Sequence, residues 1–418
     1  MAIAWKVEKT ETNSYARCLM KDIEGDLSLG EGGKVSTRMG NYQFLADSLF
    51  GLIEHKFPLD SSVLYKIFEE SIRECFAQSE SLSDEKSLLK VFGLKCENLL
   101  RSKKDFILLT SVNISLKENP KPRNIDGCQI SFHKKIPNKY RRSRLNLIST
   151  VKNKLDIYSE NEAYQFVVIK ICAADAMTAY SNAMNAFDIY RGLCQINIQK
   201  NLGFLVTSAR QMYNSDCRLK MGNIHTLHLP DGSEAMNSYW IEDVANFSEP
   251  RNINDFPEMD RRVGKILSKF NRFDKGYRDV CVKALTGYVS AISKEDQESR
   301  FLSLWLCLEL LTGTDSAENI IKRICFFYED KEFHVATLLA LRRARNSHVH
   351  AGISPLNIEM KNFRLVTFVE RMLVRFLSNN FRFSTPRQFF DFVSLNTDVE
   401  VINDQISKLK LVKKFIGH

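Results

Sequence analysis

The chain has 418 residues, 44% of them hydrophobic and 26% charged, the balance of a soluble globular protein with room for two or three domains. No apolar run reaches membrane-spanning length, the opening Met1-Ala2-Ile3-Ala4-Trp5-Lys6 lacks the apolar core of a signal peptide, and the ten cysteines include no Cys-x-x-Cys pair. These features argue against a spanning protein, a disulfide framework or a zinc finger, and they predict a cytoplasmic location with no membrane partner.

The net charge of +9 is local. Residues 101–150 hold twelve Lys/Arg and three Asp/Glu, a balance as large as that of the whole chain, so the remainder is neutral overall.

Taken in order, residues 1–40 are polar and carry Gly25, Gly30, Gly32 and Gly33, which predicts loop and a short strand or two. An apolar helical pattern runs from Tyr42 to Phe57 and stops at Pro58. Asp60 is suited to cap a second helix through Val63, Ile67 and Ile72, and Ser83-Asp84-Glu85 to open a third through Leu88, Phe92 and Leu99. Phe106 to Leu116 reads as a strand, and Gln129 to Phe132 as a shorter one. The basic material ends in Lys134-Lys135-Ile136-Pro137-Asn138-Lys139-Tyr140-Arg141-Arg142-Ser143-Arg144. Close-set cations with an aromatic and a proline suit a loop that grips phosphates, and equally a solvated linker. Lys134, Lys135, Lys139, Arg141, Arg142 and Arg144 are the candidate RNA-binding residues. These elements make up a first region, residues 1–150.

Residues 151–255 read as an α+β domain. Tyr164 to Cys172 is a clear strand, Asp175 caps a helix reaching about Gly192, and Gly203 to Thr207 and Ile224 to Leu229 are further strands. Pro230-Asp231-Gly232 is a turn, with proline setting φ and glycine accepting positive φ. His225 and His228 lie three apart in a strand and so face opposite sides, and no third ligand has convincing spacing; the pair falls short of a zinc site, and no metal or cofactor is expected.

From residue 256 the pattern is helical. Helices are expected from Pro257 through Phe270, Lys275 to Ile292, around Trp305 and Glu309, Ala317 to Tyr328, through 334–352, and Ile358 to Asn379. Short links between long amphipathic helices favour an antiparallel bundle over 256–384, followed by a tail, 385–418, whose last helix is amphipathic and suited to dock on the bundle or on a partner. The fold class is α+β, mainly helical.

The fifth bundle helix departs from core composition. Val335, Leu338 and Leu339 mark one face, and the same face continues through Arg342, Arg345, Asn346, Val349 and His350 before Gly352 and Pro355 end it. Relative to Val335, Arg345 falls roughly 80° to one side and His350 roughly 60° to the other, while His348 falls nearly opposite, toward solvent. Unpaired polar groups on a buried face are costly, which favours a functional role over a simple basic last turn.

Arg345-Asn346-Ser347-His348-Val349-His350 resembles the Arg-Asn-x-x-x-His signature of the HEPN superfamily, helical bundles of which many are metal-independent ribonucleases. Upstream, Arg300-Phe301-Leu302-Ser303-Leu304-Trp305-Leu306-Cys307-Leu308-Glu309-Leu310-Leu311 is similar to the LxxLE helix of the ApeA-like HEPN group of prokaryotic anti-phage proteins. The resemblance covers residues 258–384. It implies an endoribonuclease of abortive infection, answering a phage-derived trigger and working as a homodimer through the bundle. Arg345 and His350 are then catalytic, with Asn346 orienting the phosphate or the base and Glu309 paired with Arg345 or Arg342. The alternative is that Glu309 is a surface acid near Lys322 or Arg323. RNA supplies its own 2′-hydroxyl nucleophile, histidine suits the base and arginine's planar fork the phosphate, so the chemistry requires no metal. On one helix Arg345 and His350 diverge by about 140°, which favours a cleft shared by two copies. A non-catalytic HEPN module, serving dimerisation or nucleic-acid binding as a sensor or regulator, is the competing expectation. A DNA-binding regulator is disfavoured by the lack of any helix-turn-helix or finger pattern.

Overall fold

The protein is described from a computed structural model, which covers residues 3–6, 12–31, 34–37, 40–79, 82, 85–152, 163–198, 217–242, 249–253 and 256–417. The first unit contains β1 (Ile3–Trp5), α1 (Thr12–Asp26), β2 (Leu27–Leu29), β3 (Val35–Thr37), α2 (Tyr42–Gly51), β4 (Ile53–His55), α3 (Ser61–Ser79) and α4 (Glu85–Arg101). Helix α1 stands where loop was expected: Ala16, Met20 and Ile23 recur at helical spacing and are buried. The helix expected to reach Phe57 ends at Gly51, because Ile53 turns into β4 and pairs with Trp5 of β1. Asp60 opens α3 by accepting a hydrogen bond from the Ser62 N–H at 2.9 Å. Of the third expected cap, Ser83 and Asp84 lie outside the described residues. Leu88, Phe92 and Cys96 of α4 pack with Phe68 and Ile72 of α3 in a core of their own.

The second unit contains β5 (Lys104–Val112), β6 (Ile114–Ser115), β7 (Arg123–Ile125), β8 (Cys128–His133), α5 (Asn138–Lys152), β9 (Gln165–Ala173), α6 (Ala176–Ile198), β10 (Ile224–His228), β11 (Trp240–Ile241) and β12 (Arg251–Asn252). Six strands form one antiparallel sheet in the order β11-β10-β5-β9-β8-β7. The sheet draws strands from both sides of residue 150, so no domain boundary falls there; the sheet unit starts at Lys104. The strand expected over 106–116 breaks at Asn113, whose N–H donates to the Lys220 carbonyl and whose carbonyl accepts from Arg251 N–H. The strand expected at Gly203 to Thr207 lies outside the described residues. The Pro230 turn forms, with Gly232 at φ +97° and its N–H on the Leu229 carbonyl at 3.0 Å.

Both faces of this sheet are covered. On one side α6 packs Phe187, Tyr190 and Leu193 against Phe106, Leu108, Val167 and Ile169. On the other, Tyr140 of α5 meets Ile107, Leu109 and Val168. The basic run expected as a loop is thus a helix from Asn138 onward.

The third unit is helical: α7 (Phe256–Phe270), α8 (Lys275–Ser293), α9 (Gln297–Thr312), α10 (Ala317–Cys325), α11 (Lys331–Ala351) and α12 (Ile358–Ser378), then α13 (Pro386–Phe392) and α14 (Val399–Phe415). Phe301, Leu304, Leu308 and Leu311 of α9 are buried at three- and four-residue spacing, and α12 matches them with Leu365, Val369, Met372 and Phe376. Its core is continuous with that of the sheet through α6. At Gly192 of α6 a Cβ would sit 3.1 Å from Val289 Cγ2 and 3.2 Å from Leu285 Cδ2, so the glycine permits the close approach of α8. Arg123 of β7 clamps the sheet to α7 through two hydrogen bonds to the Asp260 carboxylate, at 3.2 and 2.5 Å. Helix α14 has no buried residue and does not dock on the bundle. Among the described residues no helix is long and apolar enough to cross a membrane, and all ten cysteines are free thiols.

Candidate active site

Helix α11 carries the Arg-Asn-x-x-x-His segment and has a firm start and stop. The Asp330 side chain accepts from Phe333 N–H, and Gly352 at φ +64° closes the end, with Gly352 N–H on the His348 carbonyl at 3.0 Å and Ile353 N–H on the Ser347 carbonyl at 3.3 Å. His350 therefore sits in the last turn, where the chain reverses.

The buried stripe of α11 is rotated from the one expected. Leu338 and Leu341 are its buried residues, and the stripe continues through half-buried Arg345 and His348. The expectation placed His348 toward solvent. Instead its side chain is only 17% exposed, and its Nε2 lies 3.7 Å from the Glu298 carboxylate on α9. The expected inward residues Leu339 and Val349 are exposed, as is His350. The reason is the anchor: the face is centred on Leu341 rather than on Val335, and His350 lies about 180° from Leu341 on an ideal helix.

His350 nonetheless lines a cleft shared with other candidates. Arg342, Arg345, Asn346 and His350 of α11 face Trp305 and Glu309 of α9 and the segment Asp315-Ser316-Ala317-Glu318 across an open groove of ≈ 430 Å³. Glu309 Oε1 lies 3.8 Å from Arg345 Nη2, an ion pair too long for a direct hydrogen bond. Trp305 Nε1 donates to the same Oε1 at 2.9 Å, and Arg345 Nη1 donates to Asn346 Oδ1 at 3.3 Å. Glu309 thus faces Arg345 rather than Lys322 or Arg323. Arg323 is engaged elsewhere, donating to the Ser394 hydroxyl and the Thr312 carbonyl.

Sequence reasoning missed the roles of Trp305 and of the acids Asp315 and Glu318. Trp305 was legible: it precedes Glu309 by four residues, one helical turn on the same face. Asp315 comes from the α9–α10 link and Glu318 from the first turn of α10, and only the fold brings them to α11.

The basic segment divides in two. Lys134, Lys135, Lys139, Arg141 and Arg142 are exposed. Arg144 is fully buried, and its guanidinium donates to the Leu109 carbonyl at 3.0 Å, the Thr226 hydroxyl at 2.7 Å and the Ile224 carbonyl at 3.0 Å. It braces α5 against β5 and β10 and is removed from the candidate RNA-binding set, because a guanidinium held on three buried acceptors cannot reach a phosphate in solvent. Arg123, another cation of the basic stretch, is held by Asp260.

His225 and His228 are both fully buried, and three of their ring nitrogens meet hydroxyls: Thr110 at 2.7 Å from His225 Nδ1, Ser143 at 2.9 Å from His228 Nδ1 and Thr226 at 2.9 Å from His228 Nε2, while His225 Nε2 lies 3.6 Å from the Glu242 carboxylate. Burial, and to a lesser degree Arg144, pushes His228 down to about 4, so it is neutral near pH 7. Among the described residues no group of three or more His, Cys, Asp or Glu is arranged to hold a metal ion.

Comparison with family models, with curated proteins and with solved structures found no match.

Proposed function

We propose that the protein is a metal-independent endoribonuclease of HEPN type, acting in prokaryotic anti-phage defence. The observation that carries this reading is the convergence of Arg345, Asn346 and His350 on one open cleft with Glu309 behind the arginine. In the proposed reaction His350 takes the proton of the ribose 2′-hydroxyl, the freed oxygen bonds to the adjacent phosphorus to form a 2′,3′-cyclic phosphate, and the bond from phosphorus to the 5′-oxygen of the next nucleotide breaks, that oxygen taking a proton from water to leave as a 5′-hydroxyl. Arg345 neutralises the negative charge that gathers on the phosphate oxygens, and Asn346 orients the phosphate.

A single α11 separates Arg345 from His350 by about 140°, so a cleft built across two copies supplies the pair more readily than one copy alone. Val349 within the motif and Ile353 and Leu356 just after it, 48%, 60% and 80% exposed, suit a homodimer seam. The exposed cations Lys134, Lys135, Lys139, Arg141 and Arg142 are proposed to hold the RNA backbone. A phage-derived trigger fits the same reading.

The acidic wall of the cleft favours a second reading. Glu309, Asp315 and Glu318 oppose the cations there and repel a phosphate backbone, which favours a non-catalytic HEPN module in which this cleft serves dimerisation and nucleic acid is held elsewhere. Incubation of the purified protein with total RNA, wild type beside His350→Ala, separates the two. The nuclease reading expects degradation by the wild type alone; the binding-module reading expects intact RNA with both.

A further inference from the structure

We infer that α14 is a strap for the Arg345 cleft: in a second position it lies in an apolar groove between α10 and α11 and covers Arg345 and His350. In the structure α14 stands clear of the bundle, and none of its 17 residues is buried. An isolated helix of that length is marginal in water and gains most from an apolar partner surface. Ile402, Ile406 and Leu409 form a stripe at four- and three-residue spacing, and Lys413 is next in line. Ile406, Leu409 and Phe415 are exposed.

The matching surface is an open groove of ≈ 450 Å³, walled by Ile321, Cys325 and Phe326 on the α10 side and by Val335 and Leu339 of α11. Leu395, Asn396 and Thr397, which lead into α14, line the same groove. The lead-in is fastened there. Arg323 donates to the Ser394 hydroxyl at 2.8 Å, and the Lys331 ammonium donates to the Thr397 hydroxyl. The helix therefore begins at the Lys331 end of the groove. A change of backbone direction within residues 396–398 is enough to lay it in.

Direction, length and charge carry the far end of α14 over the cleft. Glu318 lines both the groove and the Arg345 cleft, so the two are continuous along α11. At 1.5 Å per residue α14 is about 25 Å long, and the path from Lys331 to His350 is about 28 Å. Running beside α11 from Lys331, α14 brings Ile402 and Ile406 level with Val335 and Leu339, and its last turn level with Asn346 and His350. The charges match at both ends. Glu400 and Asp404 approach the groove cations Lys322 and Lys331, and Lys410, Lys413 and Lys414 approach the cleft acids Asp315 and Glu318. Asp404 holds Lys408 at 2.6 Å in the open position, an exposed pair of the kind worth little.

The docked position rests on the groove and the helix; its effect on RNA rests on the proposed reading of the Arg345 cleft. Two cysteines test the position in the full chain, Leu339→Cys with Ile406→Cys, after the exposed Cys18 and Cys172 are changed to Ser. The control is Leu339→Cys with Leu411→Cys, because Leu411 lies on the face of α14 opposite Ile402. Under diamide the first pair is expected to close within one chain at least tenfold faster than the control, mapped by peptide mass. The locked form is expected to protect His350 from diethyl pyrocarbonate at least fivefold and to cut RNA at least tenfold more slowly, both reversed by reduction. Hydrogen exchange needs no cross-link: amides of residues 402–409 are expected to exchange at least fivefold more slowly in the wild type than in Ile406→Glu. Closure no faster than the control, a link formed only between two copies, equal exchange in wild type and Ile406→Glu, or a locked form with His350 reactive or RNA cleavage undiminished overturns the proposal. A locked form that protects His350 while neither form cuts RNA supports the strap and counts against the nuclease reading.

Discussion

The Glu309 carboxylate stands 3.8 Å from the Arg345 guanidinium, and Trp305 Nε1 holds that same oxygen at 2.9 Å. The acid is fixed by an indole from its own helix and faces the arginine of another. In the proposed reaction it positions Arg345, so Glu309→Ala is expected to lower RNA cleavage by about tenfold, less than the ~100-fold or greater loss for Arg345→Ala. Arg345→Lys is expected to leave the loss largely in place, because an ammonium lacks the planar fork. Initial rates on one labelled RNA check both; a Glu309→Ala as inactive as Arg345→Ala would move the acid into the chemistry itself.

His348 packs toward Glu298 and does not line the cleft. His348→Ala is therefore expected to keep most of the cleavage rate and to cost about 1 kcal/mol of stability through lost packing. Rate and thermal melting measured on the same preparation test this. An inactive His348→Ala beside an active His350→Ala would reverse the choice of histidine.

Arg144 and its exposed neighbours are expected to separate cleanly. Arg144→Gln leaves buried acceptors on β5 and β10 without their charged donor and is expected to cost on the order of 3 kcal/mol, read by urea unfolding. Lys139→Gln, Arg141→Gln and Arg142→Gln together are expected to leave the unfolding midpoint within about 0.5 kcal/mol and to flatten the salt dependence of RNA affinity. A salt slope unchanged by the triple substitution makes that face of α5 a solvated surface only.

Glu370 of α12 sets an alkaline limit. Burial pushes its carboxyl up to about 8, against the opposing pulls of the Tyr288 hydroxyl that it accepts from and of Arg218. The folded state thus holds a proton that the unfolded chain releases in the ordinary carboxylate range. The stabilisation is complete below about pH 4.5 and is lost as pH rises through about 8. Glu370→Gln is expected to raise stability at pH 9 relative to the wild type and to flatten the slope between pH 6 and 9, measured by chemical unfolding. A slope identical in both proteins assigns the limit to another group.

Much of the bundle was legible because its helices are long and carry strong apolar periodicity; Ile358 to Asn379 and Lys275 to Ile292 were read to within a residue of α12 and α8. Strands β5, β8, β9 and β10 of the sheet were legible, but the short β7 and β11 were not, nor was the sheet as a unit, because pairing of β5 with β9 across a helix is a long-range choice that no local pattern encodes. Arg144 was misread for a related reason: a cation among cations looks solvated until Leu109, Thr226 and Ile224 are brought to it from distant strands. On α11, Arg345 and His350 were picked out by residue type, while the rotation of the helix was not, since Val335, Leu338, Leu339 and Leu341 offer two overlapping apolar faces. The structure buries the one centred on Leu341, with α11 packed against α10.

The most direct test of cleavage by the Arg345 cleft is end-group analysis of a single synthetic RNA incubated with the wild type in excess EDTA, beside Arg345→Ala and His350→Ala. The account predicts undiminished cleavage in chelator, products with 2′,3′-cyclic phosphate and 5′-hydroxyl ends, no cut where a 2′-deoxy residue precedes the scissile bond, and loss of at least ~100-fold in each variant. Products with 5′-phosphates, activity abolished by EDTA, or full activity in His350→Ala would contradict it.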